Sequence, residues 1–417
     1  MPDLPILGTR LDGWVRLALL WLVLVIYCVV GLVTPYIVGV IGILLFVALL
    51  VRGRLLAAYG DLAARLFFAA FVALGLAYAI TAQQSSDVLR VFNFTALLLF
   101  APLLALMQGG THAGASRNVA RLAAAGAAAA LAVAVIARYG LGFERADTPL
   151  IGAIVLGNTA ILLGFLAVPG VLAAPAGPRR WLYAIPPLLG VATASITASR
   201  GPMLAIAPIV ILCAIVIARR FKVRPAIATL GTIGYLALCA LILFGLNDRL
   251  ATLLGIAESV AGGEVVDDTN AALRLALYEA GFRAFFDAPL FGHGWARLMT
   301  AVAPYITANK SLTAEWQVFA LNLPQLHNDV VNMAVAAGVV GIAVYALLIA
   351  TPLVAAWRSP RDEYYAFRLF GVAILCTAYV FDGLTDLMFG FEFHTMLYVA
   401  LTAILLGYCR EPRPASA

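Results

Sequence analysis

Residues 202–246 read PMLAIAPIVILCAIVIARRFKVRPAIATLGTIGYLALCALILFGL. Two apolar runs, 202–218 and 225–246, flank a short hinge that carries Arg219, Arg220, Lys222 and Arg224. A hydrocarbon core about 30 Å thick takes roughly 20 apolar residues in a helix. Lipid offers no partner to backbone N–H and C=O groups, so each run must be helical. Four cations on a short connection place the hinge on the cytoplasmic side.

The same pattern extends in both directions. Apolar runs near 15–34, 36–51, 66–83, 90–108, 118–137, 149–172 and 181–198 precede the hairpin, and 327–356, 366–384 and 390–408 follow it. This predicts an all-α polytopic membrane protein of about 12 transmembrane helices. The chain of 417 residues is 64% hydrophobic and 12% charged, where soluble proteins run roughly 45–50% apolar and about 25% charged. That leaves too little polar surface for a water-soluble fold. The first run is of spanning length and is expected to be a retained helix rather than a cleaved leader. Ala123–Ala130 reads as a small-residue helix that admits close neighbours.

With a cytoplasmic N-terminus, eighteen of the 27 basic residues fall on inside connections. The formal net charge of +6 is then a matter of topology and calls for no nucleic-acid partner. Nine cations stay outside: Arg90, Arg138, Arg145, Arg200, Arg249, Arg274, Arg283, Arg297 and Lys310. Both termini are expected inside. Three units follow: spans 1–9 over residues 1–246, a long loop over 247–326, and spans 10–12 with a tail over 327–417. The five cysteines avoid the loop and suggest neither a disulfide framework nor a metal site.

The loop carries helical signals. Thr269 or Asn270 can cap a helix containing Leu273, Leu277, Ala280 and Phe285. Glu279 and Arg283 form an i,i+4 pair in it. Asp287-Ala288-Pro289 would end it, Phe291–Trp295 reads as a turn, and a second amphipathic stretch runs from Leu298 to Ala320.

Four places could carry chemistry. Arg200, in Ser199-Arg200-Gly201, joins two spans at the outer face, where an ionisable side chain is either functional or an interfacial anchor. Arg274 is a lone cation on an apolar face, with Tyr278 one turn on. Its guanidinium can grip phosphate through paired N–H groups or rest its stem on lipid. Pro324 would open the tenth span, which puts His327 in its first turn. The helix dipole there favours neutral imidazole, a base for a hydroxyl; the plainer reading is a structural histidine. Asp329 is close enough in sequence to orient or polarise the site. Asp382 and Asp386 are spaced to share a helix face if the helix continues that far. Pairing with arginines is favoured over a divalent metal for them, and zinc is unlikely with four histidines and no HExxH. Nothing ranks Arg90, Arg138, Arg145 and Arg249. Together the ranked positions converge on one face and suggest a cationic diphosphate site with a base nearby.

Three segments in order resemble the O-antigen ligase and polymerase superfamily of bacterial membrane glycosyltransferases. They are Ser199-Arg200-Gly201; Arg274 with Pro289-Leu290-Phe291-Gly292-His293-Gly294; and His327-Asn328 with Ala337-Gly338-Val339-Val340-Gly341. The resemblance implies a GT-C-like architecture with a long helical periplasmic loop between spans 9 and 10. It implies transfer of a glycan from undecaprenyl diphosphate to a hydroxyl at the periplasmic face of the bacterial inner membrane. For an O-antigen ligase the acceptor is the lipid A–core oligosaccharide. Arg200 and Arg274 would hold the donor diphosphate and His327 would activate the acceptor. Asp382 or Asp386, with Tyr278 and Asn328, would support them, without cofactor or metal. The single large loop favours ligase over O-antigen polymerase or protein O-oligosaccharyltransferase. A secondary transporter is the alternative from another class.

Overall fold

The computed structural model describes residues 5–109, 113–246 and 269–411. Arg249, the acidic residues from Asp248 to Asp268 and Arg413 lie outside the described residues, and Thr269 and Asn270, the expected caps, already belong to the helix Thr269–Asp287. Among the described residues helices are joined by turns and loops, and the one β pairing is an isolated bridge between Thr148 and Ile151. Nine described runs are long and apolar enough to cross a bilayer: Thr9–Val51, Leu62–Thr81, Ser85–Gln108, Ala115–Gly140, Ala153–Ala173, Gly201–Phe221, Pro225–Leu246, Asp329–Arg358 and Tyr365–Asp382. The protein is an all-α, multi-pass membrane protein.

Thr9–Val51 has 43 residues, roughly 65 Å of helix at 1.5 Å each, which is twice a hydrocarbon core. It is two spans. Gly31 breaks it at φ +55°, and a Cβ there would lie 1.9 Å from the Leu150 carbonyl oxygen. Beyond the break the Thr34–Val51 helix packs back against Leu22–Ile26. At its end Arg52 donates to the Pro5 carbonyl at 2.9 Å, so Pro5 and Arg52 share one end of the bundle.

Two expected spans are shorter than anticipated. Residues 181–198 give a 3-10 segment, Pro178–Ala184, and an α-helix of 11 residues, Pro186–Ile196, about 16 Å long. That helix is wedged among Ala115–Val135, Ala153–Ala167 and Pro225–Leu246. Glu392–Tyr408 is the other. From Phe393 to Cys409 every residue is buried, so this helix is the centre of the bundle. The alanine patch behaves as its composition implies: Ala123, Ala127, Ala130 and Ala134 form one buried face.

Three helices occupy the described part of the expected loop. Thr269–Asp287 ends at the Asp287-Ala288-Pro289 stop and carries the Arg283–Glu279 ion pair at 2.6 Å. The stretch from Leu298 is divided into Leu298–Thr307 and Ala314–Leu321. Thr313 caps the second of these by accepting the Trp316 N–H, a restart that apolar periodicity alone does not reveal.

The glycine motifs form a lock between this layer and the spans. Asp329–Arg358 is interrupted at Gly338, with φ 63° and ψ −147°. The kink frees carbonyls that the Pro289–Gly294 turn then satisfies: His293 N–H donates to Val335 O at 2.8 Å and Gly294 N–H to Ala336 O at 2.9 Å. In return Val339 N–H donates to Pro289 O at 2.8 Å. A Cβ on Gly338 would meet the Leu290 carbonyl carbon at 2.5 Å. His293 is structural as well, its Nε2 lying 2.8 Å from Ala284 O.

Candidate active site

The site forms where the loop after Tyr365–Asp382 meets the start of Asp329–Arg358. The helix begins at Asp329, not at Pro324, and Asn328 is its N-cap, accepting the Val331 N–H at 3.0 Å. His327 therefore precedes the helix instead of lying in its first turn. It adopts φ +53°, a left-handed conformation uncommon outside glycine. Proline reads as a helix start by its fixed φ, but here Pro324 lies in the connecting loop and the Asn328 side chain does the capping. The strain at His327 is held by its neighbours. Tyr278 Oη lies 2.9 Å from both the His327 and Leu384 carbonyls, and Asn328 Nδ2 donates to Leu384 O at 3.1 Å. Backbone strain that the surroundings over-determine concentrates at functional sites.

The aspartates separate. The Tyr365–Asp382 helix stops at Asp382, so Asp382 and Asp386 do not share a helix face. Asp382 is 2% exposed and sits inside the bundle, with no hydrogen-bond partner for Oδ1 among the described residues. Asp386 reaches His327: its Oδ1 lies 3.5 Å from His327 Nδ1 and accepts the Leu387 N–H at 2.9 Å. Gln325 Nε2 approaches the same oxygen at 3.4 Å. The His327 contact is long and lacks hydrogen-bond geometry, so it is an electrostatic pairing. Burial pushes the Asp386 carboxyl up, but His327, His394 and the Leu387 N–H outweigh it and hold the group below its usual range.

Asp329 orients the site through the neighbouring loop. It is fully buried, and its Oδ1 accepts Met388 N–H at 2.8 Å and Phe389 N–H at 3.1 Å. Its own N–H donates to Gly383 O at 2.7 Å. It thus clamps the loop that presents Asp386.

His327 and Asp386 open on a cavity of about 680 Å³ whose wall also holds Arg90, Arg145, Gln325 and Glu392. Arg145 Nε is buried there without a hydrogen-bond partner among the described residues. Arg200 and Arg274 are not in that wall but flank the turn behind it. A Cβ on Gly201, next to Arg200, would lie 2.6 Å from Thr385 Oγ1. Arg274 lies beside Tyr278, whose hydroxyl burial pushes up while Arg274 pulls it back. Tyr278 thus links Arg274 to His327. Sequence reasoning left Arg90 and Arg145 unranked; their signal was an arginine on a connection expected outside, against the charge bias of the others. Arg138 holds its own loop, donating to Glu144 O at 2.6 Å. Among the described residues no group of three or more His, Cys, Asp or Glu is arranged to hold a metal ion.

The arrangement offers a base paired with a carboxylate, at the edge of a cavity lined by the guanidinium groups of Arg90 and Arg145 and the carboxylates of Asp147 and Glu392. Residues 187–346 match a family described as O-antigen ligase, a segment that includes Arg200, Arg274 and His327 and stops short of Asp386. Comparison with curated proteins gives no match.

Proposed function

From the match of residues 187–346 to a family described as O-antigen ligase, we propose that the chain is a member of that family and transfers O-antigen polysaccharide from undecaprenyl diphosphate to a hydroxyl of the lipid A–core oligosaccharide. The site would face the periplasm from the inner membrane, with both termini cytoplasmic. The observation that carries the reading is the His327–Asp386 pair at 3.5 Å on a cavity walled by Arg90 and Arg145.

In this mechanism Nδ1 of His327 faces Asp386, leaving Nε2 to accept the proton of the acceptor hydroxyl. The acceptor oxygen attacks the anomeric carbon as the bond from that carbon to the diphosphate oxygen breaks. The bonding pair leaves on the lipid diphosphate. Arg90, Arg145, Arg200 and Arg274 are the cations close enough to the site to offset that charge. An ionised Asp386 stabilises the imidazolium formed. Attack opposite the leaving group inverts the anomeric centre. A diphosphate leaves without protonation by a carboxylic acid, so no second catalytic carboxyl is required.

Reconstitution of purified protein with undecaprenyl-diphosphate-linked glycan and lipid A–core tests the reading by the mobility of lipopolysaccharide on a gel. A ladder made by wild type and lost in His327→Ala supports it. Longer glycans on the donor lipid with unmodified lipid A–core would mean polymerase activity instead.

A further inference from the structure

A cluster of cations lies at the other end of the bundle. Between Thr148 and Asn247 the sequence contains no Asp or Glu but seven cations. Six of these collect on two connections: Arg179 and Arg180 on one, and Arg219, Arg220, Lys222 and Arg224 on the other. The connections touch, with the Trp181 and Phe221 rings 5.5 Å apart and the Arg180 guanidinium 5.3 Å from the Phe221 ring centroid. Among the described residues none of the six is in an ion pair. Arg219, Lys222 and Arg224 line the mouth of an apolar crevice of about 830 Å³ between Ile206–Phe221 and Pro225–Leu246, walled by Ile211, Ile215 and Ile233. Against the described residues Pro225–Leu246 buries little, with Cys239 its one buried residue.

Ile206–Phe221 has 16 residues, about 24 Å of helix, and Arg200 precedes its opposite end. The crevice therefore opens in the other leaflet from the His327 cavity and cannot share its diphosphate. Cations at the mouth of an apolar groove between membrane helices complement one ligand, a phosphate head attached to an acyl chain. We propose that this crevice binds an anionic phospholipid, with its phosphate among Arg219, Lys222 and Arg224 and an acyl chain against Ile211, Ile215 and Ile233. The lipid supplies Pro225–Leu246 with packing that the chain does not.

The test is native mass spectrometry and thermal unfolding of the purified full-length protein, with phosphatidylglycerol, phosphatidylcholine or inorganic phosphate added. The expected result is retention of phosphatidylglycerol with a raised Tm, and neither effect from the other two probes. Neutralising cations singly to glutamine should weaken retention about fivefold each. Ile233→Trp, which fills the crevice and keeps every charge, should also weaken it, with the detergent-solubilised Tm unchanged. Equal retention of phosphatidylcholine, equal stabilisation by inorganic phosphate, or undiminished retention in Ile233→Trp would each overturn the proposal. Glycan transfer is not the readout, so failure here leaves the His327 assignment standing.

Discussion

His327 Nδ1 faces Asp386 Oδ1 at 3.5 Å although the two residues come from segments nearly sixty residues apart, and both ends of the contact are fixed by other groups. Tyr278 and Asn328 pin the His327 side, while Asp329 pins the loop that carries Asp386. The pair is thus a tertiary product whose parts separate by mutation.

Removing the base should abolish most transfer. His327→Ala is expected to lower kcat by about 10²–10⁴-fold, the range of general-base catalysis, with expression retained and only a small loss of Tm from the broken Asp386 pairing. Full transfer by a normally folded variant would show that another group takes the proton.

Asp386 predicts a pH signature. Its carboxyl lies below its usual range in the folded protein, so the unfolded chain binds its proton more readily. The resulting stability is fully present above the ordinary carboxylate pKa of about 3.9 and is lost as pH falls through the depressed folded value. Wild type and Asp386→Asn should therefore differ in Tm at neutral pH and converge at acid pH. A constant gap would detach the carboxylate charge from stability.

Asp329 and Asp386 should fail differently. Asp329→Ala strands the Met388 and Phe389 N–H groups in the interior and should cost about 2–3 kcal/mol of stability, visible as lost Tm or expression. Asp386→Asn should fold and lose turnover. If Asp329→Ala keeps its Tm while losing activity, the aspartate roles are reversed.

The cations should divide by position. Arg90→Ala and Arg145→Ala, in the cavity wall, are expected to raise KM for the lipid-linked donor. Arg274→Lys keeps charge but not the paired N–H geometry and should lower kcat. Tyr278→Phe should also lower kcat at unchanged donor KM, since it holds the His327 carbonyl from outside the cavity wall. Activity in chelator is expected to equal that in magnesium; loss restored by magnesium would give Asp382 and Asp386 a metal role.

Gly338 tests the lock. Alanine there meets Leu290 backbone at 2.5 Å with φ held at +63°. It should destabilise by more than about 2 kcal/mol and take the site with it, because the Pro289–Gly294 turn and the start of Asp329–Arg358 are seated together.

Sequence alone determined the helical membrane class and nearly every span, because the requirement to satisfy backbone groups in lipid acts locally and leaves long apolar runs. Charge bias made the outside arginines visible, and the stop at Asp287 and the Glu279–Arg283 pair are likewise local. Where a span breaks or shortens is decided by packing. The Gly31 break depends on a carbonyl from Leu150, and Glu392–Tyr408 is short because protein, not lipid, surrounds it. The site divides along the same line. His327 could be named from its segment, but its left-handed backbone comes from contacts to Tyr278 and Leu384. Which aspartate joins it was decided by where the Tyr365–Asp382 helix stops, and the choice of Arg90 and Arg145 over Arg138 by a cavity that several distant segments enclose. Hydropathy is additive along a chain; a site is a coincidence of side chains far apart in it, and only packing brings them within reach.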